Sequence, residues 1–157
     1  MKRAFALIVL VWVFISLATL GAWAGTVQTD EDCLAEAVYF EGRSEPFIGQ
    51  LAIANVALTR TTKSVCATVH DRCQFSYWCD GKHEIMNDTK AKETSYTVAR
   101  LALDGAVVGD VEGATHYHAT YVNPHWSSEL VYLGQIGKHL FYLEYNSAYL
   151  STCHVSY

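Results

Sequence analysis

The chain has 157 residues, a length at which one domain buries roughly two thirds of its unfolded surface. Its 16 acidic residues outnumber its 11 lysines and arginines, so the formal net charge is -5 at pH 7. This balance disfavours a nucleic-acid partner, because phosphates are neutralised by lysine and arginine. Any anionic polymer would have to be held by local contacts rather than by the overall field of the protein.

Residues 1–24 have the pattern of a secretory signal peptide. Lys2 and Arg3 precede the uncharged apolar stretch AFALIVLVWVFISLATLG, and the sequence AWA at the end of the segment fits a cleavage site between small residues. The apolar stretch is also long enough to span a bilayer, so residues 4–21 are an alternative membrane anchor. We therefore expect an exported protein of the periplasm or cell envelope, with its domain over residues 25–157.

All of the cysteines follow this leader: Cys33, Cys66, Cys73, Cys79 and Cys153. In an exported chain they predict a disulfide framework with one sulfur left over, and the sequence does not choose among the pairings. A zinc site at Cys73 and Cys79 fits less well, because structural zinc sites place paired cysteines two to four residues apart.

The segment TDEDCLAEAVYFEG predicts the first helix, with a capping-box-like start at Thr29 and a stop at Gly42. Three apolar residues precede Glu41 at the spacing of one helix face: Leu34, Ala37 and Val38. Glu41 is therefore expected on the buried face. Glu36 lies about 200° around the helix from Leu34 and is expected in solvent.

Glu41 is the strongest candidate for a catalytic residue. A carboxyl next to Tyr39 and Phe40 on an apolar face would be partly desolvated, which favours the protonated form and keeps a proton available near neutral pH. Such a group can protonate a leaving oxygen. The alternative is a structural glutamate that pairs with Arg43 or caps a neighbouring helix.

Further helices are predicted over SEPFIGQLAIANVALTRT and between residues 87 and 105, with a short turn or helix over SVCATVHD between them. The first of these has Pro46 in its first turn and Glu45 near its cap, so Glu45 is assigned a helix-capping role. Its apolar side is predicted to contain Phe47, Ile48, Leu51, Ala52, Val56 and Leu58.

The pattern changes to that of β-strands after Gly109. The segments ATHYHATYV, ELVYLGQ and KHLFYL alternate, and the last two form a predicted hairpin across Ile136 and Gly137. Helices first and strands later predict an α+β fold with a small antiparallel β region. The chain has no internal repeat and no linker, so a single domain is expected.

Histidines and cysteines suggest two alternative chemistries. His116 and His118 alternate onto one strand face and, with His125 near by, would allow a zinc amidase or peptidase. Without a HExxH-type helix, polar residues of a half-buried or sugar-binding strand are the favoured interpretation. A cysteine nucleophile would give a papain-like endopeptidase, but a disulfide-bonded sulfur cannot attack a substrate.

The many aromatic residues are suited to binding carbohydrate. The C–H faces of a sugar stack on aromatic rings, while its hydroxyls form hydrogen bonds with neighbouring polar groups. The candidates are Phe75, Tyr77, Trp78, Tyr117, Tyr121 and Trp126. Each could equally belong to the core, and Phe75 is assigned there.

Four segments occur in a characteristic order: CLAEAVYFEGRSEPFIGQLAIANVALTR, CQFSYWCDG, ATHYHATYVNPHW and IGKHLFY. Together they resemble the SleB-type cell wall hydrolases, the family of the spore-cortex lytic enzymes and their relatives, over residues 33–142. The resemblance implies a lysozyme-like catalytic domain that acts on peptidoglycan glycan strands without a cofactor or a metal. We expect a monomer.

The resemblance also implies site residues. The first glutamate of the family's E-x-R-x-E-P block is the catalytic acid, which is Glu41 in this chain. Gly42 and Ser44 replace the alanine and glycine usual in that block, a change that could alter the local turn. Six residues of the shared segments are candidate substrate contacts: Gln74, Ser76, Tyr117, His118, Tyr121 and Trp126.

The implied reaction is that of a lytic transglycosylase. Glu41 protonates the oxygen between N-acetylmuramic acid and N-acetylglucosamine, and then accepts the proton of the muramyl 6-hydroxyl, which closes on C1 as a 1,6-anhydro ring. Hydrolysis of the same bond would need a second carboxylate, for which Glu45 and Asp80 are the candidates. A cysteine or zinc enzyme that cuts the peptide stems, and a non-catalytic wall-binding protein, remain alternatives.

Overall fold

The computed structural model describes residues 27–71, 73–79, 81 and 85–144. The predicted signal peptide or anchor, the candidate Asp80 and the fifth cysteine, Cys153, lie outside the described residues. Within those ranges, no helix has the length and apolar character that a membrane crossing requires.

The described residues form helices followed by strands, as the α+β prediction requires. The helices are α1 (Asp30–Gly42), α2 (Phe47–Arg60), α3 (Val65–Val69) and α4 (Thr89–Leu103). The strands are β1 (His116–Ala119), β2 (Val131–Ile136) and β3 (His139–Leu143). Short 3-10 turns cover Ser76–Cys79, Gly109–Val111 and His125–Ser128.

The central helix α1 begins with the predicted capping box, in which Thr29 and Asp32 exchange side-chain and backbone hydrogen bonds. Helices α2, α3 and α4 all pack against it. Because α1 is covered on several sides, Glu36 is only 8% exposed, and the prediction that it is solvated is wrong. Its carboxylate accepts a hydrogen bond of 3.2 Å from Gln28 and lies 3.5 Å from His70 Nε2.

Helix α2 contributes Ile53 and Val56 to the core, where both are fully buried. The prediction is wrong for Phe47 and Ile48, which are 45% and 48% exposed. Both lie in the first turn of α2, which reaches the surface, so the apolar periodicity continues beyond the packed part of the helix.

Glu45 has a structural role, but it is not the predicted helix cap. Pro46 occupies the N-cap position of α2 without a side-chain cap. The Glu45 carboxylate is buried and accepts a hydrogen bond of 2.8 Å from the backbone N–H of Lys138, in the turn between β2 and β3. Gly137 in that turn has φ +57°, and a Cβ there would collide with Glu45 Oε2. Glu45 therefore fastens the hairpin to the helices.

The three strands form one antiparallel sheet in the order β1-β3-β2. Tyr117 of β1 pairs with the fully buried Phe141 of β3. A bulge between Tyr132 and Gly134 interrupts the pairing of β2 with β3. The sheet packs on α2 through β1 and β2, which brings β1 close to the end of α1.

Two disulfides join the described cysteines and fix the pairings that the sequence left open. Cys33 and Cys66 connect α1 with α3. Cys73 and Cys79 close a short loop that contains the 3-10 turn Ser76–Cys79.

Candidate active site

Glu41 lies in the last turn of α1, where it faces a cavity of about 290 Å³ that we call the Glu41 cavity. Its other walls come from the end of α2, the disulfide loop, β1 and the turn after β1. The lining residues are Glu41, Arg60, Cys73, Gln74, Ser76, His116, Tyr117 and Trp126. The structure therefore brings Glu41 together with four of the six predicted substrate contacts.

Three hydrogen-bond donors converge on the carboxylate of Glu41. Oε1 accepts from the backbone N–H of Ser76 at 3.1 Å and from the Ser76 hydroxyl at 3.2 Å. Oε2 accepts from the Tyr117 hydroxyl at 3.2 Å. Both oxygens are thus oriented by groups on elements other than α1, and the carboxylate has a fixed position at the cavity wall.

The disulfide loop, residues 73–79, is anchored by the residues on both sides of Ser76. The preceding residue, Phe75, is 2% exposed, which confirms the assignment of Phe75 to the core. Tyr77 is also buried, and its ring stacks on Phe40 of α1 at 4.8 Å. With the disulfide closing the loop, these anchors hold the Ser76 donors close to the end of α1.

Tyr117 is a neutral hydrogen-bond donor near neutral pH. Burial of its phenol raises its pKa well above the ordinary value of 10.0, and the negative charge and hydrogen bond of Glu41 raise the pKa further. Deprotonation would place two negative charges side by side, so the hydroxyl keeps its proton and points it at Glu41.

His116 and Trp126 form a further part of the cavity wall. Their rings lie 5.3 Å apart, with Trp126 supplied by the 3-10 turn after β1. Burial lowers the pKa of His116 below its ordinary value of 6.5, and the positive charge of Arg60 lowers it further. A neutral imidazole and an indole ring together suit an uncharged, hydroxyl-bearing ligand.

Two of the predicted contacts do not line the Glu41 cavity. His118 is buried in the sheet, where Nδ1 donates to the Ala119 carbonyl at 2.9 Å and Nε2 lies 3.1 Å from the Tyr142 hydroxyl. It reaches the site only through its ring contact with Trp126. Tyr121 is 85% exposed on the surface after β1.

Arg60 is the wall residue that the sequence did not single out. It ends α2 next to polar residues, and there a cation has an ordinary explanation, its attraction to the helix C-terminus. Only the fold shows that its side chain lines the cavity. Burial lowers the pKa of its guanidinium, which nonetheless stays charged because arginine titrates far above neutrality.

Within the described residues, the groups that the alternative chemistries would need are bonded to one another or lie apart. Cys73 lines the cavity, but its sulfur is bonded to Cys79, and Cys33 is bonded to Cys66, so none of these four sulfurs is a nucleophile. Among the described residues, no group of three histidine, cysteine or acidic side chains is arranged to hold a metal ion.

Among the described residues that line the cavity, Glu41 is the only carboxylate. Glu45 was a candidate second carboxylate, but its Oε2 accepts a hydrogen bond from the backbone N–H of Lys138 and lies 3.7 Å from His139 Nδ1. It does not line the Glu41 cavity. The other candidate, Asp80, is not among the described residues.

A comparison with protein-family models identifies the family of this chain. Residues 44–142 match the family model of the cell wall hydrolases, which covers more than half of the chain, and the chain belongs to that family. The match begins just after Glu41. The predicted membership is confirmed, while the role of Glu41 rests on the geometry and the resemblance described above.

The relatives found by sequence are spore cortex-lytic enzymes. Those of Halalkalibacterium halodurans and Bacillus cereus are 30% and 31% identical over 128 and 127 residues, or 75% and 74% of this chain. The alignments cover 36% and 45% of those proteins, so the chain spans less than half the length of these curated relatives.

Solved structures give the same grouping. The catalytic domain of the germination-specific lytic transglycosylase SleB from Bacillus anthracis superposes with a TM-score of 0.59 at 27% identity, over 76% of this chain and 98% of that domain. The Bacillus cereus SleB catalytic domain gives a TM-score of 0.58 at 27% identity, over 76% of this chain and 93% of that domain. The predicted SleB-type α+β fold is confirmed.

Proposed function

We propose that this chain cleaves peptidoglycan glycan strands between N-acetylmuramic acid and N-acetylglucosamine as a lytic transglycosylase, with Glu41 as acid and then base. The observation that carries the proposal is a firmly positioned carboxylate, the only one among the described residues that line its polar cavity. A retaining or inverting glycosidase would place a second carboxyl roughly 5 to 9.5 Å away. One carboxyl is enough when the substrate supplies its own nucleophile.

The reaction has two steps, and one proton is transferred in each of them. Glu41 donates its proton to the glycosidic oxygen, and the bond from that oxygen to the muramyl C1 breaks as positive charge develops on the sugar ring. The carboxylate then takes the proton of the muramyl 6-hydroxyl, whose oxygen bonds to C1. No water is consumed, and Glu41 ends in its starting form.

Ser76 and Tyr117 support both steps. Their donors stabilise the carboxylate that forms when Glu41 gives up its proton, because hydrogen bonds to an ionised acceptor are stronger than neutral ones. They also fix the carboxyl against rotation, so that the proton is delivered and recovered in the same place. Gln74, His116 and Trp126 provide polar and aromatic surface for the sugar rings.

The names of the similar proteins support the proposed reaction. A solved relative is called a germination-specific lytic transglycosylase, and the curated relatives are called spore cortex-lytic enzymes. The two disulfides fit an oxidising compartment outside the cytoplasm, where peptidoglycan lies. The periplasm or cell envelope is the proposed site of action.

The test is mass spectrometry of the soluble products released from purified peptidoglycan by the full chain. We expect muropeptides that end in 1,6-anhydromuramic acid. The Glu41→Gln variant should release at least about 100-fold less, since it can neither donate nor accept the proton. Glu93→Gln, an exposed glutamate on α4, is the matched control and should behave like the unaltered chain.

Other product patterns would separate the remaining possibilities. Muramyl products with a free reducing end would mean hydrolysis, and a second carboxylate would then be needed. Free peptide stems released equally by both proteins would contradict glycan cleavage. Binding to the wall without products from any variant would indicate a non-catalytic protein. Circular dichroism of each variant checks that it is folded.

A further inference from the structure

A second cavity of about 300 Å³ shares two wall residues, Arg60 and Gln74, with the Glu41 cavity. Because these side chains face both spaces, the two cavities adjoin at the end of α2. The remaining walls come from the segment after α2 and from α3, and they include Lys63 and Asp71. We call this space the Lys63 cavity.

Among the described residues, two cations and one carboxylate line the Lys63 cavity. Arg60 and Lys63 supply the positive charges, and Asp71 supplies the negative charge. Within the described residues, no hydrogen bond or ion pair engages the guanidinium of Arg60 or the ammonium of Lys63. Arg60 is partly buried, and although the negative charge of Glu144 acts on it, no acceptor among the described residues binds its donors. An arginine in this state is well suited to bind a carboxylate.

We propose that the Lys63 cavity binds a carboxylate on the lactyl-peptide branch of the muramyl residue whose C1 lies at Glu41. This rests on the proposed function, because it requires a muramyl residue in the Glu41 cavity. A muramyl ring that is not closed to a lactam carries a lactyl ether on C3, which ends in a carboxylate or continues into a peptide stem that contains carboxylates. The Lys63 cavity adjoins the sugar site, and its described lining residues carry an excess of positive charge.

Because the chain has a net negative charge, it needs local cations to hold an anionic polymer. A protein of net charge -5 repels an anionic polymer at long range, so contact must come from cations placed next to the cleft. Ser76 and Tyr117 are already engaged by Glu41. Arg60 and Lys63 are the unengaged cations that line this pair of cavities within the described residues. The cavity thus selects muramyl sites over plain N-acetylglucosamine polymers.

The test measures binding without turnover, by calorimetry on the Glu41→Gln chain. Three tetrasaccharides serve as probes: one with muramyl peptide stems, the same one after amidase removal of the stems, and chitotetraose, which has no lactyl branch. We expect Lys63→Gln to weaken binding of at least one muramyl probe about three- to tenfold and to leave chitotetraose unchanged. Asp71→Asn should strengthen the same binding. Lys90→Gln, an exposed lysine on α4, is the control.

The probes also identify the carboxylate. A loss confined to the stem-bearing probe assigns it to the peptide, whereas an equal loss with the stripped probe assigns it to the lactyl group. The proposal is overturned if Lys63→Gln changes no probe, if it changes chitotetraose equally, or if no muramyl probe binds. Failure of the proposed function would appear separately, as the absence of glycan products from the unaltered chain.

Discussion

At the scale of single residues, the site depends on how Glu41 is held. Its two oxygens accept hydrogen bonds from Ser76 and Tyr117, which belong to a disulfide-closed loop and to a strand. A glutamate side chain has several rotatable bonds, and fixing them in advance removes an entropic cost from the reaction. The arrangement predicts that the donors affect the rate more than they affect folding.

Tyr117→Phe tests this prediction. The ring remains packed, but Glu41 Oε2 loses its donor, so we expect kcat to fall about tenfold with KM and melting temperature little changed. Because the pKa of Tyr117 is raised, its hydroxyl does not ionise near neutral pH, and the loss there reports the missing hydrogen bond rather than a missing charge. Tyr132→Phe, an exposed residue of β2, is the control. An unchanged kcat would show that Tyr117 does not position Glu41.

At the level of residues, local pattern in the sequence could identify a candidate for the site, whose catalytic role stays a prediction. Helical spacing and the shared segment both pointed to Glu41, and the structure places it on the cavity wall. Glu36 and Arg60 could not be predicted in this way. Their surroundings are made by elements distant in the sequence, which bury Glu36 and carry Arg60 to the cavity.

At the scale of elements, the two disulfides have different roles. Cys33 and Cys66 are 33 positions apart and join two helices, whereas Cys73 and Cys79 are 6 positions apart and shape the loop that carries Ser76. Closing a longer loop removes more freedom from the unfolded chain. The long-range disulfide should therefore dominate stability, and the local one should matter more for catalysis.

Paired alanine substitutions separate these roles. Replacing Cys33 and Cys66 should lower the free energy of unfolding by about 4 kcal/mol, and replacing Cys73 and Cys79 by about 2 kcal/mol. Below the melting temperature, the second pair should lose more activity per folded molecule, because Ser76 is no longer held at Glu41. Denaturant titration and product release measure the two effects. The opposite ranking of activity would contradict the role given to the loop.

Element boundaries were largely predictable because caps and periodicity are local signals. The capping box at Thr29, the start of α4 after Asp88 and the hairpin at Gly137 all occur as the sequence indicated. The role of Glu45 was not predictable. Its position beside Pro46 suggested a helix cap, but its partner is a turn more than ninety residues away in the chain.

At the scale of the whole molecule, stability should depend on the protonation of two partly buried histidines. Burial lowers the pKa of His116 and of His139 below 6.5, despite the opposing effect of Glu144 on His116 and of Glu45 and Glu41 on His139. In the unfolded chain both titrate near their ordinary value. As the pH falls below about 6.5, the unfolded state therefore binds more protons than the folded state, and stability decreases.

We expect the melting temperature to be constant from pH 8 to 7 and to fall between pH 6.5 and 5. Substituting both His116 and His139 with glutamine should flatten this fall, whereas the exposed His125→Gln control should not. Asp32 acts at lower pH, because hydrogen bonds from Thr29 and Tyr96 lower its pKa, and its contribution is lost only as the pH falls below the range of an ordinary aspartate. Thermal unfolding followed by circular dichroism at each pH measures the profile. A fall of equal steepness in the double variant would mean that other groups set the stability of the fold in weak acid.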